Sequence, residues 1–328
     1  MAIPGPGSPL AVTDIVTEFG GTAPHGLSEY YRGGGLVPDA PSNTSIPTSG
    51  AIGIGNFYGS ANRTNLSLTI TSNTNSYNLY TQVSSNPAYI AGATDVTLTI
   101  NPGVTVGGST PSSYALSVPS SFSPGDGITI VNNGTIIGKG GNGGAGGIHG
   151  GQPGTVRSGT VGTAGGHALL LERPASITNA GVMSGGGGGG GGGGATIRIT
   201  GYSPKNGAPN YGDYHGPGGG GGAGAPVGTG GLGGNTPTAV PAPNGSNGTA
   251  TTGGAGGPAV PSPTANPRTG IGGTGGNRGN NGSASTDDIN APSQPQSSPV
   301  AGGATGRYIT GNTYATWVAN GTRLGGSS

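Results

Sequence analysis

The chain has no cysteine, and charged residues make up only 6% of it. The first absence excludes a disulfide framework, a thiolate metal cluster and a thiol nucleophile. The second comes with 11 basic against 10 acidic residues and leaves no electrostatic footprint for nucleic acid. Aromatic residues are scarce at 5%, with a single tryptophan. No stretch approaches the roughly 20 apolar residues that span a bilayer. The first residues, Met1-Ala2-Ile3-Pro4-Gly5, lack the basic and apolar regions of a secretory signal. The expectation is a chain with no nucleic-acid partner, no membrane insertion and no leader. Without disulfides and with small cores it is expected to gain stability by oligomerising.

What is present in excess is glycine, 79 of 328 residues, including an unbroken run at 185–194. Glycine has no Cβ to pack and loses more freedom on ordering than other residues, by roughly 0.5–1 kcal/mol against alanine. Such a run is either a disordered linker or a segment ordered through its backbone groups. Disorder usually accompanies high net charge, whereas here it is +1. The glycine is also segmented: runs at 140–147, 185–194, 218–224, 228–234, 253–257 and 270–276 alternate with inserts rich in Asn, Pro, Ser and Thr. Straight glycine rods joined by loops would read this way. Their physical form would be polyglycine II, a threefold extended helix rising about 3.1 Å per residue, whose N–H and C=O groups bond to neighbouring rods. Collagen is excluded because no strict Gly-X-Y period exists.

The fold class expected is mainly β with little helix, in four parts. Residues 1–60 form a small unit: Ser8-Pro9 opens a helix carrying Leu10, Ile15, Val16 and Phe19, and Gly20-Gly21 closes it. Residues 61–137 form a strand domain, because Leu66-Ser67-Leu68-Thr69-Ile70, Val96-Thr97-Leu98-Thr99-Ile100 and Ile128-Thr129-Ile130-Val131 alternate apolar with polar. Residues 138–305 are the polyglycine II-like region with exposed loops. Residues 306–328 are expected to form a hairpin turning at Asn320-Gly321. One internal echo stands out. Ile130-Val131-Asn132-Asn133-Gly134 through Gly138 aligns with Ile177-Thr178-Asn179-Ala180-Gly181 through Gly185, and each copy runs into glycine. Two copies make no convincing solenoid. They suggest one strand–turn–strand unit that launches each glycine segment.

Leu27 to Tyr31 with Arg32-Gly33-Gly34-Gly35-Leu36-Val37-Pro38, then Ile46 to Ile52 and Asn56-Phe57-Tyr58-Gly59, resemble the N-terminal region of tailed-bacteriophage tail proteins. The glycine blocks preceded by Ile-Thr-Asn-x-Gly, and the ending Thr316 to Gly325, resemble glycine-rich phage tail-fibre and tail-tip adhesins. In the T-even-like members, such blocks form a polyglycine II sandwich with receptor-binding loops at one end. The resemblance implies a virion tail protein assembled in the host cytoplasm. Its partners would be other phage tail proteins and a host surface receptor, an outer-membrane protein or a polysaccharide, and since phage fibres are commonly threefold it implies a homotrimer, held mainly by residues 61–137. The alternative it leaves open is a structural tail-tip or spacer protein without receptor contact. For residues 1–60 it implies tail attachment, with Tyr30, Tyr31, Arg32, Phe57 and Tyr58 as the contact residues.

Catalysis finds no motif. Polysaccharide cleavage needs two carboxylates about 5–9.5 Å apart, and the candidates are Glu172 with Asp213 or the adjacent Asp287-Asp288. The expectation is no enzyme, no cofactor and no metal, since His149, His167 and His215 lack ligand spacing. The best binding candidate is the insert from Gly201 to His215, with Tyr202, Lys205, Tyr211, Asp213, Tyr214 and His215. Tyr, Ser, Gly and Asn give recognition loops contact area and adaptable hydrogen bonds. The bland reading, tyrosines covering a lattice edge, stays open beside it.

Overall fold

The computed structural model describes residues 3–149, 156–202, 204, 209–236, 241–260, 269–286 and 297–328. The alternating segments become strands with one buried side: along Thr94–Ile100, Thr94, Val96, Leu98 and Ile100 point inward. The strands pair in parallel rather than as hairpins. Thr64–Ile70 lies beside Thr94–Ile100, then Gly127–Asn132, Ala175–Asn179 and Ala315–Ala319, forming one five-stranded sheet. Two further five-stranded parallel sheets take the short strands that follow each of these. Each turn of the chain therefore contributes one strand to each of three faces. The chain coils as a three-faced parallel solenoid around a core that includes Leu98, Ile130, Ile136, Leu116, Leu169 and Ile177. Fully burying such a side chain contributes roughly 1.5–3 kcal/mol.

The echo spaced by 47 residues is two successive turns of this solenoid. Ile177 pairs with Ile130 and Asn179 with Asn132 on one face, and Val182 pairs with Thr135 on the next. Asparagines ladder inside the corner between those faces. Asn132 Nδ2 donates to Asn179 Oδ1 (2.8 Å), and Asn179 Nδ2 donates to the Asn320 carbonyl (2.8 Å). Both asparagines are buried, so these bonds satisfy groups that would otherwise cost roughly 1–3 kcal/mol each. Glycine follows because the next turn of backbone lies against it: a Cβ at Gly181 would run into the Gly134 carbonyl.

Two expectations are corrected here. The strand domain does not end at 137: Leu169–Leu171, Ala175–Asn179, Val182–Ser184 and Arg307–Thr310 belong to it. The C-terminal segment is not a hairpin. Ala315–Ala319 pairs with Ala175–Asn179 and Thr322–Leu324 with Val182–Ser184, both in parallel. Asn320-Gly321 is thus a solenoid corner, with Gly321 at φ +49°. Arg323 closes this last turn, its guanidinium 4.6 Å above the Trp317 ring and 5.5 Å from Tyr308.

The glycine segments are excursions from a single corner of this solenoid. One leaves after Thr135–Ile137 and returns at Leu169–Leu171; the other leaves after Val182–Ser184 and returns at Arg307–Thr310. Inside them the chain runs as extended segments that bond to one another with a repeat of three residues. In the run 185–194, Gly186, Gly189 and Gly192 donate to Gly166, Thr163 and Thr160; Gly187, Gly190 and Gly193 donate to Ala223, Gly220 and Pro217. Gly188 and Gly191 donate to Asn280 and Ser283, while 141–147, 273–276 and 303–306 donate back. The run is surrounded on all sides. The segment 216–224 is enclosed in the same way, by 141–147, 185–194, 228–234, 243–249, 254–257 and 273–276. The result is a three-layer sandwich of rods.

Glycine content follows the number of covered faces. Where all three positions of a turn face neighbours, glycine fills nearly every one, with Pro217 and Ala223 the exceptions towards the two ends of 216–224: a Cβ at Gly189 would run into Asn142 O, and one at Gly190 into Gly273 O. Peripheral rods keep glycine only at covered positions, so 228–234 reads Gly-Thr-Gly-Gly-Leu-Gly-Gly with Thr229 and Leu232 exposed. Rods at 159–166, 241–249, 280–286 and 300–306 carry fewer glycines still, yet bond in the lattice. Outward N–H groups have no rod beyond them, and side chains fill that place. Asn247 Oδ1 accepts from Gly230 (2.9 Å), Asn244 Oδ1 from Gly233 (2.8 Å), Asn277 Oδ1 from Gly253 (3.0 Å) and Thr160 Oγ1 from Ala145 (2.8 Å).

Residues 3–60 fold around a separate core of Ile15, Phe19, Tyr30, Val37, Ile46 and Phe57. Its helix α1 spans Val12–Phe19, starting later than Ser8-Pro9 because the Asp14 carboxylate accepts the Ala11 N–H (2.8 Å). The unit meets the solenoid where Asn62 N–H donates to Glu18 Oε1 (2.8 Å). Next to that junction, Arg63 pairs two-pronged with Asp95 at 2.7 and 2.8 Å.

Candidate functional site

The lattice has two unlike ends. At the end near the solenoid, rods turn back through three residues each, at 225–227, 250–252 and 277–279. These turns are pinned: Thr249 Oγ1 accepts from Thr252 N–H (2.8 Å), and Arg278 Nε donates to the Ala250 carbonyl (2.6 Å). At the far end the connections are long, at 148–158, 195–215, 235–241, 258–269 and 287–299. Gly147, Gly193, Gly216 and Gly234 bond to one another there, so these connections all leave from one place. A lattice of straight rods demands only that the chain reverse. Length beyond that is unconstrained by the lattice and free to carry recognition.

The largest far-end connection is a β-hairpin, Thr196–Tyr202 against Pro209–Tyr214, in antiparallel register with Tyr202 opposite Pro209 and Ile199 opposite Tyr211. Of the residues expected to bind, Tyr202, Tyr211 and Asp213 lie on this hairpin. Lys205 falls outside the described residues. Tyr214 and His215 stand elsewhere than at an exposed surface: Tyr214 is 6% exposed, in a cluster with Ala242 and Val260, and His215 is fully buried. His215 Nε2 lies 3.0 Å from Thr236 Oγ1. These two side chains tie the hairpin base to its neighbours.

The other expected groupings do not converge. Glu172 sits in the solenoid, its Oε2 accepting the Ser120 N–H (2.8 Å), far along the chain's path from Asp213 in the hairpin. Asp287-Asp288 lies outside the described residues. His167 sits at the solenoid corner, stacked on Tyr114 at 5.4 Å with Nδ1 accepting the Arg307 N–H (2.9 Å), whereas His215 is at the far end. Burial, and then the Arg307 charge, holds the His167 imidazole below its usual pKa. Among the described residues no group of three His, Asp or Glu could hold a metal ion, and no helix is long and apolar enough to cross a membrane.

In the N-terminal unit, Tyr30 and Phe57 are fully buried, ring against ring at 6.2 Å, with the Tyr30 hydroxyl donating to Gly20 O (2.8 Å). They shape the unit from inside. Tyr31, Arg32 and Tyr58 are half-buried at its surface, Arg32 beside Asp39 at 3.4 Å. The residues missed by reading the sequence are the edge-sealing Asn and Thr of the lattice. Their signal was glycine at i and i+3, as in Gly245 and Gly248 or Gly303 and Gly306.

A family described as phage tail fibre adhesin Gp38 matches residues 65–328. Among solved structures, the crystal structure of the gp37-gp38 adhesin tip complex of the bacteriophage S16 long tail fiber is similar, with a TM-score of 0.51 at 25% identity. The likeness covers 86% of this chain and 88% of that one. The comparison with curated proteins finds no match.

Proposed function

Because the chain belongs to the phage tail fibre adhesin Gp38 family, we propose that the long connections at the far end of its lattice contact the host cell surface. The observation that carries this reading is the asymmetry of the connections: three-residue turns at the end near the solenoid, long inserts at the other. As a tail fibre adhesin the protein is a component of the virion tail. The lattice acts as a rigid stage, and several weak loop contacts add through multivalency. Its rods are polyglycine II, a form supported by the three-residue repeat and by the bonds that run from rod to rod. The role is binding rather than catalysis.

Residues 1–60 are proposed to dock on another tail protein through the surface that carries Tyr31, Arg32 and Tyr58. The similar S16 structure is a complex of gp38 with gp37, which supports a longer fibre protein as that partner. The receptor is an outer-membrane protein or a polysaccharide. A spacer role without receptor contact is the rival, and the burial of Tyr214 and His215 favours it.

Particles in which Tyr202 and Tyr211 are both replaced by alanine should assemble with normal tails and adsorb to host cells at least tenfold more slowly. Normal adsorption by this variant, and by one with residues 201–210 shortened to a two-residue turn, would reject the hairpin as the contact. Particles lacking the protein altogether would support the spacer reading.

A further inference from the structure

Asparagine followed by glycine is among the least durable dipeptides of a polypeptide. The glycine nitrogen attacks the asparagine side-chain carbonyl carbon, the new N–C bond closes a five-membered succinimide, and the side-chain nitrogen leaves as ammonia. Water then opens the ring at either carbonyl and leaves aspartate or isoaspartate. Glycine permits the approach because no Cβ obstructs it. The attack needs a glycine N–H that is free to lose its proton and an asparagine side chain that is free to turn towards it.

The chain carries seven such pairs. Asn206-Gly207 lies outside the described residues. Four of the others are on the lattice edge, and there both reacting groups are engaged. Gly143, Gly245, Gly248 and Gly282 donate their N–H to the carbonyls of Thr229, Gly231, Gly228 and Gly303 at 2.8–2.9 Å. The side-chain oxygens of Asn142, Asn244, Asn247 and Asn281 accept the N–H groups of Thr229, Gly233, Gly230 and Thr305 at 2.8–3.1 Å. Ring closure at any of these pairs must therefore break two bonds to a neighbouring rod. Asn244, Asn247 and Asn281 are exposed, so bonding rather than burial restrains them. A fifth pair, Asn133-Gly134, sits in a solenoid corner, where Gly134 is buried and donates its N–H to Asn132 Oδ1 (3.2 Å).

The remaining pair is unlike the rest. Asn320 and Gly321 are both exposed. Their corner belongs to the last solenoid turn, whose strands Ala315–Ala319 and Thr322–Leu324 are sheet edges, so no later turn lies over it. Among the described residues nothing accepts the Gly321 N–H, and the Asn320 side chain makes no hydrogen bond. Only the Asn320 backbone carbonyl is held, by Asn179 Nδ2 (2.8 Å).

We infer that Asn320 is a site of spontaneous deamidation in the folded protein, while rod-to-rod bonds keep the edge asparagines of the lattice unmodified. The inference is independent of the proposed receptor role. Conversion at Asn320 adds one negative charge to a chain whose net charge is +1. The isoaspartate form also lengthens the backbone, which a corner between strands can absorb. On a lattice edge the same lengthening would put a rod out of its three-residue register.

The test incubates full-length protein in mildly alkaline buffer, once folded and once in guanidinium chloride, and follows aspartate and isoaspartate at each pair by peptide mass spectrometry. In the folded protein Asn320 should convert at least tenfold faster than Asn142, Asn244, Asn247 or Asn281. In denaturant all five should convert at similar rates, because only the local sequence then decides. Asn320 as durable as the edge asparagines in the folded protein overturns the inference. So does conversion of the edge asparagines as fast in the folded protein as in denaturant. Edge asparagines that stay slow in denaturant overturn it as well, since their durability then owes nothing to the lattice.

Discussion

The solenoid and the glycine lattice share one chain and one corner, but they are held together by opposite means. The solenoid buries branched side chains: Val96, Leu98, Ile130 and Ile177 fill its interior, and its backbone bonds follow from strands that their burial aligns. In the lattice the bonds come first. Its enclosed rods have almost no side chains, and every N–H from Gly186 to Gly193 finds a carbonyl on another rod. One region is specified by what its side chains fill, the other by what they would obstruct. Order therefore needs neither a hydrophobic core nor regular helix and sheet, provided that each buried backbone group is paired. The solenoid contributes the template, since two adjacent turns launch and recover the rods at matching heights.

The sharpest way to break this contrast is a single methyl group. Gly189→Ala places a Cβ against the Asn142 carbonyl inside the lattice. It should cost on the order of 4 kcal/mol or more, as an overpacked site with no room to relax. The neighbouring outward Ala145 already tolerates a methyl and should accept serine within about 0.5 kcal/mol. Thermal melts of both variants measure the difference; equal effects would mean that the rods are not in contact. In the solenoid the rule inverts, and loss rather than gain of side chain does damage. Ile130→Ala should cost about 2–5 kcal/mol through the cavity it leaves, read from denaturant unfolding.

Edge seals come next in size. Asn247→Ala removes the acceptor of the Gly230 N–H at the lattice surface, where water can take its place, and should cost about 1 kcal/mol. The smallest expected effect lies at the junction of the two regions. His167 must be unprotonated at Nδ1 to accept the Arg307 N–H, and its pKa is lowered in the fold. A histidine of this kind contributes stability that is complete above its ordinary pKa near 6.5 and declines as pH falls below it. The parent should lose more stability than His167→Gln between pH 7 and pH 5. Parallel pH profiles of the two would contradict a role for this contact.

Much of this architecture is legible in particular residues. Thr and Ser alternating with Ile, Leu and Val mark the strands, and the 47-residue echo marks the corner where the glycine begins. The split of glycine into runs separated by inserts indicates rods with loops. The solenoid itself is harder to see, because its turns differ in length: Ile130 pairs with Leu98 after 32 residues and Ile177 with Ile130 after 47. Asn320-Gly321 reads as a hairpin since a tight-turn dipeptide serves a hairpin and a solenoid corner equally well. The choice is made by the partner strands at 175–184, which lie far away in sequence. Glycine-poor rods such as 241–249 read as loops because one covered face needs only one glycine in three. The binding residues are legible as a group on one insert, but nothing local foretells that Tyr214 and His215 are buried at its base.

Hydrogen exchange across residues 185–193, followed by mass spectrometry on the native protein, tests the central claim most directly. If backbone bonds between rods hold the lattice, these amides should be protected as strongly as those of Gly127–Asn132 in the solenoid and should open together with it. Exchange at random-coil rates, while the solenoid amides stay protected, would show that the glycine region is not a lattice at all.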